Sequence, residues 1–176
     1  MSGSGVDDAG LLAAVAQGQR DALAELYRRH APWLQVRLSR RCADRDVVAE
    51  ALQDTFVAAW RGAGRWAGTG DVGAWLWGIA IRRLVDVLAR RRGPVTVPAG
   101  VEEPVSSAEE TVLLRLEHSD VAGALNELSP ELRAVVQAVV LDGLTTREAA
   151  RLLQVPQGTV KTRMRRARLQ LREALT

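Results

Sequence analysis

The chain has 176 residues, enough for one medium domain or two small ones, and its 24 basic and 21 acidic side chains leave a net charge of +3. The single cysteine, Cys42, excludes an intrachain disulfide and any Cys-x-x-Cys metal site. Strand-like alternation is almost absent while Ala, Leu, Arg and Glu abound, so the expected fold is all-α.

The charge is unevenly spread. Residues 1–92 carry 14 basic and 10 acidic groups, residues 93–120 carry 1 and 6, and residues 121–176 carry 9 and 5. Two basic blocks joined by an acidic connector suit two separate nucleic-acid contacts. The start, MSGSGVDDAG, has no basic region followed by an apolar run, and no stretch is long and apolar enough to span a bilayer. No membrane insertion and a cytoplasmic location are the expectations. Cys42 reads as a bland, half-buried thiol.

After a small-residue tail (1–6), Asp7 and Asp8 precede Leu11, Leu12, Val15 and Ala16, a short amphipathic helix ending near Gly18. Asp21 can cap the next helix. Its stripe is Leu23, Leu26, Tyr27, Leu34 and Leu38, Pro32 is placed to kink or divide it, and Arg28, Arg29, Arg37, Arg40 and Arg41 make a solvated basic face. Asp46 opens a third helix. Val48, Leu52, Phe56 or Thr55, and Ala59 face its core, while Glu50, Gln53, Asp54, Val57 and Arg61 lie together on the other side.

Five glycines make RGAGRWAGTGDVG a flexible loop around Trp66. It lacks the G-x-x-x-x-G-K-[ST] pattern and follows no strand, so it is not a nucleotide site. The next helix, AWLWGIAIRRLVDVLARRR, turns Leu76, Ala80, Leu84 and Val87 inward. Trp75, Arg82, Arg83, Asp86 and Arg90 lie on or near the opposite side, with Arg82 and Asp86 spaced to pair. A basic, Trp-bearing helix beside a flexible loop can hold unpaired bases, which stack on aromatics while arginines follow phosphates. Core packing competes for Trp75 and Trp77.

Residues 93–108, with three prolines, read as a flexible linker. Ser106 with Glu109, or Ser107 with Glu110, starts a further helix with Leu113, Leu116, Val121 and Leu125 as its apolar positions. Ser129-Pro130-Glu131 starts another, closed at Asp142-Gly143. Thr145 and Glu148 then form a capping box, followed by the apolar face Ala149, Ala150, Leu152 and Leu153. Val155-Pro156 breaks that helix, and proline fits the first turn of the next. This last helix keeps Val160, Met164 and Leu171 for packing and carries Lys161, Arg163, Arg165, Arg166, Arg168 and Arg172. The pair has the plan of a DNA-reading helix-turn-helix. Its first two turns put Gln157, Thr159, Lys161, Thr162 and Arg165 at base edges, and Arg163, Arg166 and Arg168 suit phosphates. If Gln154 must turn left-handed it costs on the order of 1 kcal/mol.

In this order, DALAELYRRH, AEALQDTFVAAWR, GAWLWGIAIRRLVDVLARRR, LSPELRAVV and LTTREAARLLQVPQGTVKTRMRRAR resemble a bacterial RNA polymerase sigma factor of the extracytoplasmic-function (ECF) group. The resemblance implies two small helical domains joined by a linker: a region 2 domain at 7–92 and a region 4 domain at 109–176. It implies that Glu50, Gln53 and Asp54, on the face shared with Val57 and Arg61, grip the clamp helices of the polymerase largest subunit. Arg65, Trp66 and Asp71 fall in or beside the loop that captures a flipped −10 base. Trp75, Trp77, Arg82 and Arg83, with Arg90 beyond them, fall on the helix that binds and opens that element. Gln157 to Arg168 would enter the major groove of the −35 element. The polymerase flap, promoter DNA and an anti-sigma factor are the partners it admits. Two departures stand out: Ile81-Arg82 where members usually have Arg-Asn, and Gln154 where glycine is common.

Reading a major groove needs intact duplex, whereas flipping a base costs a few kcal/mol that a pocket must recover. Two separated surfaces follow. A linker of about 15 residues spans up to roughly 50 Å. Elements about 17 base pairs apart lie about 55–60 Å apart along the axis. A stand-alone helix-turn-helix regulator is the competing reading, but it leaves the Glu50 stripe and the Trp loop unused. An enzyme is not expected, since His30 and His118 fall on separate domains with no nucleophile or metal cluster beside them; no cofactor is implied.

Overall fold

The computed structural model describes residues 7–92 and 118–175. The tail, the linker, and the expected caps at Ser106 and Ser107 with Leu113 and Leu116 lie outside the described residues, as does the side chain of Val121. All regular elements among the described residues are helical. The chain divides into two compact units, one up to Arg91 and one from Arg92 onward.

In the first unit, α1 (Asp8–Ala16) is capped by Asp7, whose carboxylate accepts from the Gly10 N–H at 2.8 Å. Leu11, Leu12 and Val15 are buried while Ala16 is exposed. The left-handed Gly18 (φ 83°) turns the chain into α2 (Arg20–Ser39). This helix starts before the expected cap, so Asp21 lies in its first turn, where a carboxylate suits the helix dipole. α2 runs through Pro32 undivided: the proline removes one backbone donor, while buried Ala31 and Leu34 hold the flanking turns to the core. α3 (Arg45–Gly62) begins at Asp44 rather than Asp46, because Asp44 Oδ1 accepts from the N–H groups of Asp46 and Val47 at 2.9 and 3.1 Å. Val48, Leu52, Phe56, Thr55 and Ala59 all lie in the core.

A 3₁₀ turn (Ala63–Arg65) and the glycine loop lead to α4 (Val72–Arg92). The predicted inward stripe, Leu76, Ala80, Leu84 and Val87, is fully buried, joined by Ile81 and Val85. Burying one such side chain stabilises by roughly 1.5–3 kcal/mol, so this face outweighs any single polar contact in seating α4.

The second unit begins with α5 (His118–Glu127) and α6 (Pro130–Val136). Arg133 donates to the carbonyls of Leu125, Asn126 and Leu128, tying α6 to the unsatisfied end of α5. A π turn (Gln137–Leu141) widens the end of α6, and the left-handed Gly143 (φ 66°) closes it, as expected of Asp142-Gly143. α7 (Thr146–Leu153) and α8 (Gln157–Ala174) follow. α8 packs on α5, α6 and α7 through Val160, Met164, Ala167 and Leu171, a buried ridge at helical spacing.

Candidate nucleic-acid interface

The α7–α8 pair is built as its sequence predicts. Thr145 Oγ1 accepts from the Glu148 N–H at 3.2 Å, and Glu148 Oε2 accepts from the Thr145 N–H at 2.7 Å. Ala149 is fully buried and Ala150 nearly so, which lets the backbones approach. Gln154 is left-handed (φ 58°, ψ 40°), the only non-glycine residue with positive φ among those described. The Val155 N–H reaches back to the Ala150 carbonyl at 3.1 Å. Pro156 stands at the N-cap of α8, one position before the expected first turn, and its carbonyl accepts from Thr159 and Val160.

Opposite the buried ridge, Lys161, Thr162, Arg165 and Arg166 are exposed, while Thr159, Arg163 and Arg168 are half-buried. Gln157 is half-buried, and its side-chain amide donates to Thr146 Oγ1 at 2.9 Å. That bond ties the start of α8 to the start of α7 and occupies one of its donors. The Thr162 hydroxyl donates to the Gly158 carbonyl. The Glu131 carboxyl lies below its usual range because it accepts from its own backbone N–H and from Ser129, with Arg163 adding attraction.

In the first unit, Asp71 is the cap of α4. Its Oδ1 accepts from the Ala74 N–H at 2.7 Å and its carbonyl from the Trp75 N–H. Gly68 and Gly70 take left-handed conformations that side chains resist. Arg65 is exposed and Trp66 half-buried. Trp75 is half-buried and runs past Gly62, where an added Cβ would lie 3.7 Å from its Cζ2. Trp77 corrects an expectation. It is 5% exposed, with the Arg37 guanidinium 4.2 Å from its ring centroid, so it belongs to the core and offers no open face to a base. Arg37 is correspondingly not a purely solvated residue. Arg82 does not pair with Asp86: Arg82 donates to the Gly78 carbonyl at 2.9 Å, and Arg83, one turn from Asp86 at i+3, takes the carboxylate at 3.2 Å. Ile81 is fully buried, which removes that family position from any surface contact.

The α3 face divides in two. Gln53, Val57 and Arg61 line an open groove of about 900 Å³ between α2 and α3, with Leu23, Tyr27, Phe56 and Trp60. Tyr27 and Val57 are 48% and 43% exposed there, although Tyr27 stacks on Phe56 at 4.7 Å. Glu50 and Asp54 turn instead toward α4. Arg90 binds both, at 3.0 and 2.9 Å, and Arg91 binds Glu50 at 3.0 Å and Asp44 at 3.7 Å. The arginines hold the Glu50 carboxyl below its usual range. These pairs join residues 36 to 47 positions apart, and no local sequence signal marks them.

Sequence reading also missed a buried cluster. His30 is 7% exposed, bonded at Nε2 to Asp8 (2.8 Å) and at Nδ1 to Trp33 (3.1 Å), and Arg29 holds the other Asp8 oxygen at 2.9 Å. Gly73, in the first turn of α4, faces this cluster: an added Cβ would meet Trp33 at 3.5 Å, His30 at 3.6 Å and Asp71 Oδ1 at 3.0 Å. Among the described residues no group of His, Cys, Asp and Glu could hold a metal, and no helix is long and apolar enough to cross a membrane.

Two helical units, one with a basic helix-turn-helix and the other with a Trp-bearing loop before a basic helix, define a DNA-binding transcription protein. Residues 26–93 match the family Sigma-70 region 2, and residues 118–171 match Sigma-70, region 4. The chain is 39% identical over 171 residues to the ECF RNA polymerase sigma factor SigM of Mycobacterium tuberculosis, covering 96% of this chain and 84% of that one. It is 32% identical over 161 residues to SigK of a Mycobacterium species (88% and 83%), and 31% over 173 residues to the RNA polymerase sigma factor CnrH of Cupriavidus metallidurans (92% and 90%). A solved structure of CnrH with the cytosolic domain of CnrY aligns over 96% of both chains at 27% identity and a TM-score of 0.45. The chain belongs to the ECF sigma factors of RNA polymerase. It is a non-enzymatic protein that directs transcription initiation through sigma-70 regions 2 and 4, and sigma factors bind core polymerase and promoter DNA.

Proposed function

We propose that residues 7–92 bind the clamp helices of core polymerase and open the −10 element, that 93–108 is the connector, and that 109–176 reads the −35 element beside the polymerase flap. The observation that carries this is the two-sidedness of α8: a buried ridge of Val160, Met164, Ala167 and Leu171 behind an exposed Lys161, Thr162, Arg165 and Arg166. A helix packed on one side and cationic on the other suits insertion into a major groove. Gln157 serves there by fixing the angle of the helix through Thr146 as well as by approaching a base. For the −10 element, Arg65, Trp66 and Asp71 supply the loop and Trp75, Arg82 and Arg83 the helix, with Trp77 acting from the core.

Polymerase docks on Gln53, Val57 and Arg61 in the α2–α3 groove, with Glu50 and Asp54 beside it. Its half-exposed Val57 and Tyr27 give an apolar centre, and Gln53 and Arg61 a polar rim. Run-off transcription with purified core polymerase tests the whole reading. Promoter-specific transcripts are expected from the native chain, and Val57→Asp should abolish them while leaving the helical content unchanged. Specific promoter binding by the isolated chain, with no dependence on polymerase, would instead establish a stand-alone regulator.

A further inference from the structure

Every printed ion pair of the C-terminal half of α4 joins an arginine to a carboxylate of the same unit. Arg83 pairs with Asp86, Arg90 with Glu50 and Asp54, and Arg91 with Glu50 and Asp44. Both oxygens of Glu50 are occupied, Oε1 by Arg90 and Oε2 by Arg91. Two of these carboxylates, Glu50 and Asp54, lie on the surface assigned above to polymerase. The two arginines end the helix assigned above to the −10 element. One set of charges therefore serves two surfaces.

Resting on that reading, we propose that Glu50 and Asp54 mask Arg90 and Arg91 in the free protein, and that a basic surface of core polymerase takes over the carboxylates and releases the arginines to DNA phosphates. The pairs are partly exposed, with side-chain accessibility of 54% for Arg90 and 35–39% for the two acids. Exposed pairs are weak and exchange partners readily, which an exchangeable mask needs and a rigid strut does not. Thermodynamic linkage makes the effect reciprocal: whatever polymerase contributes to DNA binding through this network, DNA contributes to polymerase binding. Docking then arms the DNA-binding helix by exchanging counter-charges, without moving a helix.

The test measures binding of the full chain, alone and as holoenzyme, to a fluorescent forked oligonucleotide across a salt series. Masked arginines contribute nothing to the salt slope, so R90Q/R91Q should leave the slope of the free chain unchanged. In the holoenzyme the same change should lower it by about 1.4–1.8, the counterions released by two phosphates. E50Q/D54N should raise that slope in the free chain by a similar amount, and adding R90Q/R91Q should cancel the gain. D21N/D46N, two exposed carboxylates outside the network, controls for net charge. A lower slope for free R90Q/R91Q, or a gain in E50Q/D54N no larger than in the control, overturns the masking. Core-polymerase affinity of E50Q/D54N is measured in parallel. If it is unchanged while the DNA gain appears, the arginines are masked but the polymerase assignment of these acids fails, and the exchange with it.

Discussion

The Trp33 indole donates its N–H to Nδ1 of His30 across 3.1 Å, so the neutral imidazole carries its own proton on Nε2 and points it at Asp8. The bond links α2 to α1 at a buried point directly against Gly73 of α4. Trp33→Phe keeps a ring and loses the donor, and is expected to cost about 1 kcal/mol. His30→Ala removes both bonds and leaves a void, and should cost about 2–3 kcal/mol. Urea denaturation of the full chain followed by circular dichroism measures both. Equal, negligible losses would mean that water replaces the cluster.

Gln154 holds a left-handed conformation that costs a side chain about 1 kcal/mol relative to glycine. Gln154→Gly should raise the thermal midpoint of the second unit, with a gain of up to about 1 kcal/mol after the larger unfolded-state entropy of glycine is set against it. Gln154→Val should lower it, since a branched side chain fits that region worst. A valine variant as stable as the native chain would show that the turn relaxes to another geometry.

Trp66 stands beside the glycine loop and is only half-buried, so an indole face is accessible to an unstacked base. Trp66→Ala should reduce open-complex formation more than initial promoter binding, by a stacking loss of about 1–3 kcal/mol. Permanganate reactivity and footprinting separate the two steps. Equal loss at both would assign the tryptophan to loop structure.

The exposed face of α8 makes a sharper expectation. Lys161→Ala and Arg165→Ala should each cost about 1–3 kcal/mol and relax preference at one position of the −35 element. Arg168→Ala should weaken all promoters alike and reduce the salt slope by about one. Holoenzyme binding across a library of −35 point variants reads both. The reverse pattern would mean that α8 enters the groove in another orientation.

What could be read from the sequence was local. Thr145 and Glu148 announce their capping box because both partners fall within four residues, and Leu76, Ala80, Leu84 and Val87 announce the buried side of α4 by their spacing. Spacing could not decide between Trp75 and Trp77, which lie nearly opposite each other on a helix; burial of Trp77 was settled by Arg37, far away in the chain. Nor could it choose between Arg82 and Arg83 for Asp86, since i+3 and i+4 are both within reach. The Arg90–Glu50–Asp54 and Asp8–His30–Trp33 groups arise only when distant helices meet, so they left no trace in any short window. Gln154 marks the middle case: the turn after α7 demanded a left-handed residue whichever side chain occupied it.

The π turn at Gln137–Leu141 sets how this gene can change in length. Its wide loop, closed by the Asp142 N–H on the Gln137 carbonyl at 2.9 Å, accommodates one residue more than an α-helix would. Deleting any one codon in this stretch would let the helix close normally and rotate everything after it by about 100° relative to α6. Asp142 and Leu144, both buried, would swing toward solvent, and the helix-turn-helix behind them would lose its seat. In-frame deletions here should therefore be as damaging as a frameshift to −35 recognition, although they remove no residue that touches DNA.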